Sequence, residues 1–229
     1  RWGTRDVLYH QKATENRWPL QDFINWIDSD KPQTKLRHVL QQRGGDLSGY
    51  PESFLNTVYY PTYKIRIPVN KKNVLESGLV KEKDSALIVD YIDIDISQSA
   101  ITKKSMMMLD IVANNDWKRP LYFSGGSFDD AEYIWMKDYL QLDGLVYKLV
   151  PIRTERESAF DMGRIDTDLM YDIVKKWDWG NSGSDEIYHD TQTRIQGISY
   201  RSNLARLSEA LIKEEKIDRA KEIIDIAME

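Results

Sequence analysis

Apolar residues recur along this chain at two spacings, and the switches between them outline its elements. After Pro19, which suits a first helical turn, Leu20, Phe23, Ile24 and Ile27 share one face and predict a helix, ended by Asp28-Ser29-Asp30-Lys31-Pro32. Arg43-Gly44-Gly45-Asp46 through Gly49-Tyr50-Pro51 is rich in turn residues. Alternation then takes over. Tyr63, Ile65, Ile67 and Val69 face one way and Lys64 and Arg66 the other, which predicts a strand that is an edge or ends at Pro68, because proline cannot donate a ladder bond. A second alternating stretch, 88–96, sets Ile92, Ile94 and Ile96 opposite Asp93 and Asp95. Between Thr102 and Asn115, Met107, Met108, Ile111 and Val112 predict a helix that Thr102 or Ser99 caps. Short strands follow at 120–124 and 144–152, separated by the turn Ser124-Gly125-Gly126-Ser127 and a helix over 129–140.

Past Pro151 the pattern changes. Residues 153–163 read as a polar linker, 166–177 as a helix burying Leu169, Met170, Ile173, Val174 and Trp177, and 179–185 as a loop. From Ser199 onward everything reads as helix. Leu204, Leu207, Ser208 and Leu211, then Ala220, Ile224 and Ala227, fit an antiparallel hairpin whose large–small spacing resembles one tetratricopeptide repeat, with a generic helix pair as the other reading. One repeat does not bury its own face, so either further repeats follow or the hairpin packs on the body. The expected architecture is α/β, with α+β as the variant: a small sheet with flanking helices over 1–155, then a helical region over 156–229.

Composition narrows the function more than the fold. The 229 residues are 41% hydrophobic and 11% aromatic, enough for a core without disulfides. A net charge of −5 argues against nucleic acid as a partner, and the absence of cysteine excludes thiolate chemistry and cysteine-based zinc sites. No apolar run approaches a membrane span. The chain opens Arg1-Trp2-Gly3-Thr4 and closes in mid-helix at Met228-Glu229, so we expect a piece of a longer protein.

Candidate chemistry is sparse. Asp93 and Asp95 match the spacing by which nucleotide-sugar transferases hold a divalent metal, and two carboxylates two apart on a strand do point the same way. Alternating Ile and Asp is equally what a half-exposed strand looks like. Ser124, Gly125 and Gly126 sit where a strand–turn–helix could cradle an anion, but Asp129 and Asp130 would repel it. Trp117 and Arg119 join an aromatic ring to a cation, a pairing that suits sugars and anions, or a tryptophan plugging the edge of a core beneath a solvating arginine. His10, His38 and His189 lie too far apart for a metal site, and no nucleophile motif occurs. These residues support binding rather than catalysis, with no metal or cofactor expected.

Several blocks carry a resemblance. In order they are Tyr59-Tyr60-Pro61-Thr62 with Ile65-Arg66-Ile67-Pro68-Val69; Asn115-Asp116-Trp117-Lys118-Arg119-Pro120-Leu121-Tyr122-Phe123; and Gly144-Leu145-Val146-Tyr147-Lys148-Leu149-Val150-Pro151. Gly163-Arg164-Ile165-Asp166 and Arg201-Ser202-Asn203-Leu204-Ala205-Arg206-Leu207 complete the set. From Tyr59 onward the chain resembles the soluble C-terminal region of a family of protein O-mannosyltransferase-like membrane glycosyltransferases of Bacteroidetes-type bacteria, once described as a domain of unknown function. The resemblance implies an N-terminal membrane region that uses a polyprenyl-phosphate sugar and carries the catalytic acid, so no catalytic residue transfers here. It also implies a place on the periplasmic face of the inner membrane, and as partners the protein's own membrane region and an acceptor protein or peptide. The resulting expectation is a module for acceptor recognition or scaffolding. A sugar-donor site at Asp93 and Asp95, and a purely structural or oligomerisation role, are the alternatives.

Overall fold

The structure, a computed structural model, describes residues 7–9, 16–97, 99–124, 136–155, 162–184 and 186–228. The fold is mixed α/β, as the two periodicities predict, with the strands shared among three small three-stranded sheets. The described residues group into two compact units, one of residues 7–9, 16–97, 99–120 and 151–153, the other of 121–124, 136–150, 154–155, 162–184 and 186–228.

In the first unit β1 (Val7–Tyr9) lies between β3 (Tyr59–Tyr60), to which it is parallel, and β6 (Ala100–Ile101), to which it is antiparallel. The second sheet has the order β2 (Trp18–Pro19), β4 (Lys64–Pro68), β5 (Tyr91–Asp95), so β4 is central and ends at its proline. Helix α1 (Leu20–Ile27) buries the four predicted residues Leu20, Phe23, Ile24 and Ile27 against β4 and α5 (Lys103–Asn115). Each side chain so buried contributes about 1.5–3 kcal/mol. Thr102 caps α5 by accepting from the Ser105 amide. Its inward face is Met106, Leu109 and Val112, while Met107 and Ile111 are exposed, one step round from the predicted stripe. The run Met106-Met107-Met108-Leu109 is apolar all round one turn, so its own periodicity does not fix the buried side. Short helices α2 (Leu36–Gln42), α3 (Glu52–Leu55) and α4 (Lys71–Glu76) fill the connections, and Leu36, Val39 and Tyr59 form a satellite core with Leu8, Trp26 and Phe54.

The second unit begins with a meander of β7 (Tyr122–Ser124), β8 (Leu140–Asp143) and β9 (Val146–Leu149), all antiparallel in the order β7–β9–β8. Gly144 opens the β8–β9 turn at φ 70°, the left-handed start that a two-residue hairpin turn needs. The predicted helix over 129–140 falls largely outside the described residues, and its last residue, Leu140, opens β8 instead. Helix α6 (Thr167–Val174) is capped by Asp166. Helices α7 (Thr191–Lys213) and α8 (Ile217–Met228) form the hairpin, burying Leu204, Leu207, Ser208, Leu211, Ala220 and Ile223. Helix α7 starts at Thr191 behind an Asp190 cap, well before Ser199. Ile195 and Ile198 of that first half are exposed, so no core-facing stripe announces it.

The hairpin is seated on α6. Lys216 donates to Asp168 at 2.7 Å and to Thr167 at 2.9 Å, Arg219 donates to Asp168 at 2.9 Å, and Lys175 donates to Glu222 at 3.1 Å. Helix α7 also grips the sheet, Asn203 donating to the Gly144 carbonyl and Arg206 to the Tyr147 hydroxyl and the Met162 carbonyl. No described helix is long and apolar enough to cross a membrane.

Candidate functional site

The outer face of the β2–β4–β5 sheet carries Asp93 and Asp95, the acidic pair that the sequence singled out. Ile65, Ile67, Ile92 and Ile94 turn inward, and Lys64, Arg66, Tyr91, Asp93 and Asp95 turn outward. In the β4–β5 register Arg66 stands opposite Asp93 and Lys64 opposite Asp95. Arg66 forms a two-pronged bond to Asp93, Nε to Oδ1 at 2.8 Å and Nη2 to Oδ2 at 2.9 Å, with its guanidinium 3.6 Å from the centre of the Tyr91 ring. Arg17, just before β2, reaches over the sheet: its Nη1 donates to Asp95 at 3.0 Å and to the Ile94 carbonyl at 2.9 Å, and its Nε lies 3.4 Å from Asp93.

This geometry assigns Asp93 and Asp95 a job within the fold. A divalent cation needs carboxylate oxygens free of competing charge, and here two guanidiniums hold them. The bonds from Arg66 keep the Asp93 carboxyl below its ordinary range, partial desolvation opposes them, and the charge of Arg17 reinforces them. No group of three acidic or histidine side chains that could hold a metal occurs among the described residues. The sequence signal that Arg66 would meet Asp93 was present, since a basic alternation on one strand and an acidic one on the other invite cross-strand pairing. Nothing local signalled Arg17.

Trp117 and Arg119 belong to a tight turn after α5. Asp116 and Trp117 both take left-handed conformations, φ 46° and 59°, which cost non-glycine residues roughly 1 kcal/mol or more each. The turn is held from several sides. Asn73 donates to the Asp116 carboxylate at 2.7 Å and to its carbonyl at 2.8 Å, Ser77 donates to the Trp117 carbonyl at 3.1 Å, and the Trp117 indole donates to the Pro68 carbonyl at 2.8 Å. Trp117 is buried, with its one polar atom used to complete β4, whereas Arg119 is exposed. Ser124 is the exposed last residue of β7 in the other unit, and Gly125 and Gly126 lie outside the described residues.

Two clusters in the second unit had no sequence forecast. Gln141, Asp143 and Lys148 are buried together on β8 and β9, with Lys148 Nζ 3.0 Å from Asp143 and Gln141 donating to the same carboxylate at 2.8 Å. Lys148 and Asp143 read as a positioned buried ion pair, with Gln141 as a further donor to the carboxylate. Trp177, Trp179 and Tyr200 meet edge to face with centroids 5.3–5.9 Å apart, and Trp177 also lies over Gly144, where a Cβ would come within 3.2 Å of its ring.

Compared with known proteins, residues 1–169 match the family model described as TMEM260-associated domain 2. No curated protein and no solved structure matches the chain.

Proposed function

We propose that this chain, which belongs to the TMEM260-associated domain 2 family, is a recognition module of a membrane-embedded protein glycosyltransferase, recruiting acceptor protein instead of transferring sugar itself. The observation that carries the reading is the neutralisation of Asp93 and Asp95 by Arg66 and Arg17, which commits that carboxylate pair to ion pairs within the fold instead of leaving it open for a metal-bound sugar donor. The family's namesake is a protein O-mannosyltransferase family, which supports protein O-mannosylation as the reaction served. The resemblance drawn from the blocks above supports a polyprenyl-phosphate sugar as donor, bound by the membrane part, and a periplasmic position for this one. Exposed Tyr188, Ile195 and Ile198 on and before α7 add apolar surface of the kind that interaction modules present.

The test is a titration of the isotope-labelled chain, followed by NMR, with Ser/Thr-rich peptides and then with a polyprenyl-phosphate sugar. Shifts with peptide alone are expected. Sugar-induced shifts at Asp93 and Asp95, abolished in Asp93→Asn/Asp95→Asn, would replace this reading with donor binding. Silence toward both ligands would leave a structural role in its place.

A further inference from the structure

Three aromatic side chains of the second unit keep their polar tips open. Trp177, Trp179 and Tyr200 pack edge to face, and three such contacts cover at most three of the six ring faces. Trp26 and Trp117 show how an indole behaves when it serves the fold, each donating its N–H to a backbone carbonyl. A buried indole or phenol ordinarily finds such a partner. Among the described residues nothing bonds the Trp177 and Trp179 indole nitrogens or the Tyr200 hydroxyl, and none of these atoms is buried, so each reaches solvent. Asn203 lies one turn beyond Tyr200 on α7. Its Nδ2 donates to the Gly144 carbonyl at 3.0 Å, which fixes the amide and leaves Oδ1 open as an acceptor. Trp177 covers the same Gly144. One turn before Tyr200, Gly197 has nothing within 4 Å of where a Cβ would stand. A helical side chain leans over the preceding turn, so Tyr200 leans toward that open surface. Glycine destabilises a helix interior, and no neighbour here needs the space it leaves.

We propose that this cluster binds a neutral pyranose carried on polypeptide or on another sugar. A pyranose has an apolar C–H face that suits an aromatic ring, and hydroxyls that both donate and accept. Two indole N–H groups, a phenol and an amide oxygen match those hydroxyls in both senses, as in ligand sites that join aromatic walls to a few placed polar groups. All four polar tips are neutral, and Arg206, further along α7, is committed to Tyr147 and Met162. A nucleotide would stack on the rings as well, but its phosphates call for cations. The same lack of positive charge disfavours a sugar still on its lipid phosphate. Proline-rich peptide also docks on aromatic grooves, yet it brings few N–H donors to Asn203 Oδ1. The site is read from these side chains alone. It goes beyond acceptor recruitment and rests on that reading only for the source of the sugar, an acceptor that is already glycosylated.

The test is a titration of the whole isotope-labelled chain with methyl mannopyranoside and methyl glucopyranoside, followed through the indole N–H signals. Those of Trp177 and Trp179 are expected to shift and saturate with one sugar or both, while those of Trp26 and Trp117, bonded within the fold, stay in place. Trp179→Ala should weaken binding about tenfold or more, and Gly197→Gln, which fills the open surface, more than about threefold. In both variants the amides of Leu142 and Arg164, bonded where the Gly163 segment meets β8, should exchange as slowly as in the parent. Variants that bind sugar as the parent does would move the site elsewhere and overturn the proposal. A flat titration to about 100 mM sugar, a hundredfold above a millimolar Kd, overturns it too and leaves recruitment to the separate peptide titration. Equal indole shifts with inorganic phosphate would mark a charged ligand instead, and equal shifts with sugar-free Ser/Thr-rich peptide would give the cluster to polypeptide; either result sinks the pyranose.

Discussion

At the scale of single residues, the side chains that looked functional hold the fold together. Trp117 completes the hydrogen bonding of β4 where β2 no longer reaches, because the Pro68 carbonyl points away from β5 and needs a donor. Trp117→Phe keeps most of the volume and leaves that carbonyl without its partner, so unfolding in urea should show a loss of about 1–3 kcal/mol; a variant as stable as its parent would mean water replaces the indole. Asp93 makes a prediction in pH. Its folded-state pKa is depressed, first by Arg66, so its contribution is complete above the unfolded value of about 3.9 and is lost as pH falls through the folded value. Asp93→Asn should therefore be less stable than its parent by about 0.2–1 kcal/mol near pH 6. The two melting temperatures should converge as the pH falls through that depressed folded value, and a gap that persisted once the carboxyl is protonated would show that the carboxylate is not what matters. The partnership of Arg66 with Asp93 was legible in the sequence as matched alternations. That of Arg17 was not, because a residue 78 positions from Asp95 reaches it only through the β2–β4 pairing, which two-residue β2 does not announce.

At the scale of elements, the blocks that carried the family resemblance turn out to be joints. Gly163 runs beside β8, its neighbour Arg164 exchanging bonds with Leu142 and Leu140 at 2.9 and 2.8 Å, and a Cβ on Gly163 would fall 2.0 Å from the Leu140 carbonyl oxygen. Backbone cannot yield as a side-chain tip can, and φ 67° disfavours any other residue as well. Gly163→Ala should cost at least about 3 kcal/mol, seen as faster amide exchange at Leu142 and Arg164; a cost near the ordinary glycine-to-alanine value would show that this segment can detach freely. Arg206 binds the same segment from α7, and Asn203 holds the Gly144 turn. These are long-range contacts between a helix and two turns, so periodicity located the helix and the turns but not their meeting. Likewise β4, β5 and α1 were readable because each repeats one period over at least five residues. Helix α8 instead buries Ala220 and Ile223 and leaves Ile224 exposed, one step round from the predicted Ala220, Ile224 and Ala227. The strands β1, β2, β3 and β6 have two or three residues apiece and exist only through pairing.

At the scale of the molecule, the family match stops at residue 169, inside α6, whereas the second unit runs on to the end of α8. If a unit is defined by what covers its core, the match boundary is not a folding boundary. The β8–β9 hairpin and the Gly163 segment take bonds from Asn203 and Arg206, and α6 is tied to the hairpin through Lys216, Arg219 and Lys175. A chain cut after residue 169 would lose Leu204, Leu207 and Leu211, each at most 1% exposed, and at about 1.5–3 kcal/mol for each such side chain the loss approaches the whole stability of a domain. Hydrogen exchange on residues 1–169 should then find the amides of β8 and β9 unprotected, while those of Ile65, Ile67, Ile92 and Ile94 keep theirs, because the β4–β5 ladder and its α1–α5 cover lie wholly before the cut. Protected β8 and β9 amides in the shortened chain would mean that the meander stands without α7, and that the C-terminal hairpin is an attachment rather than part of the core.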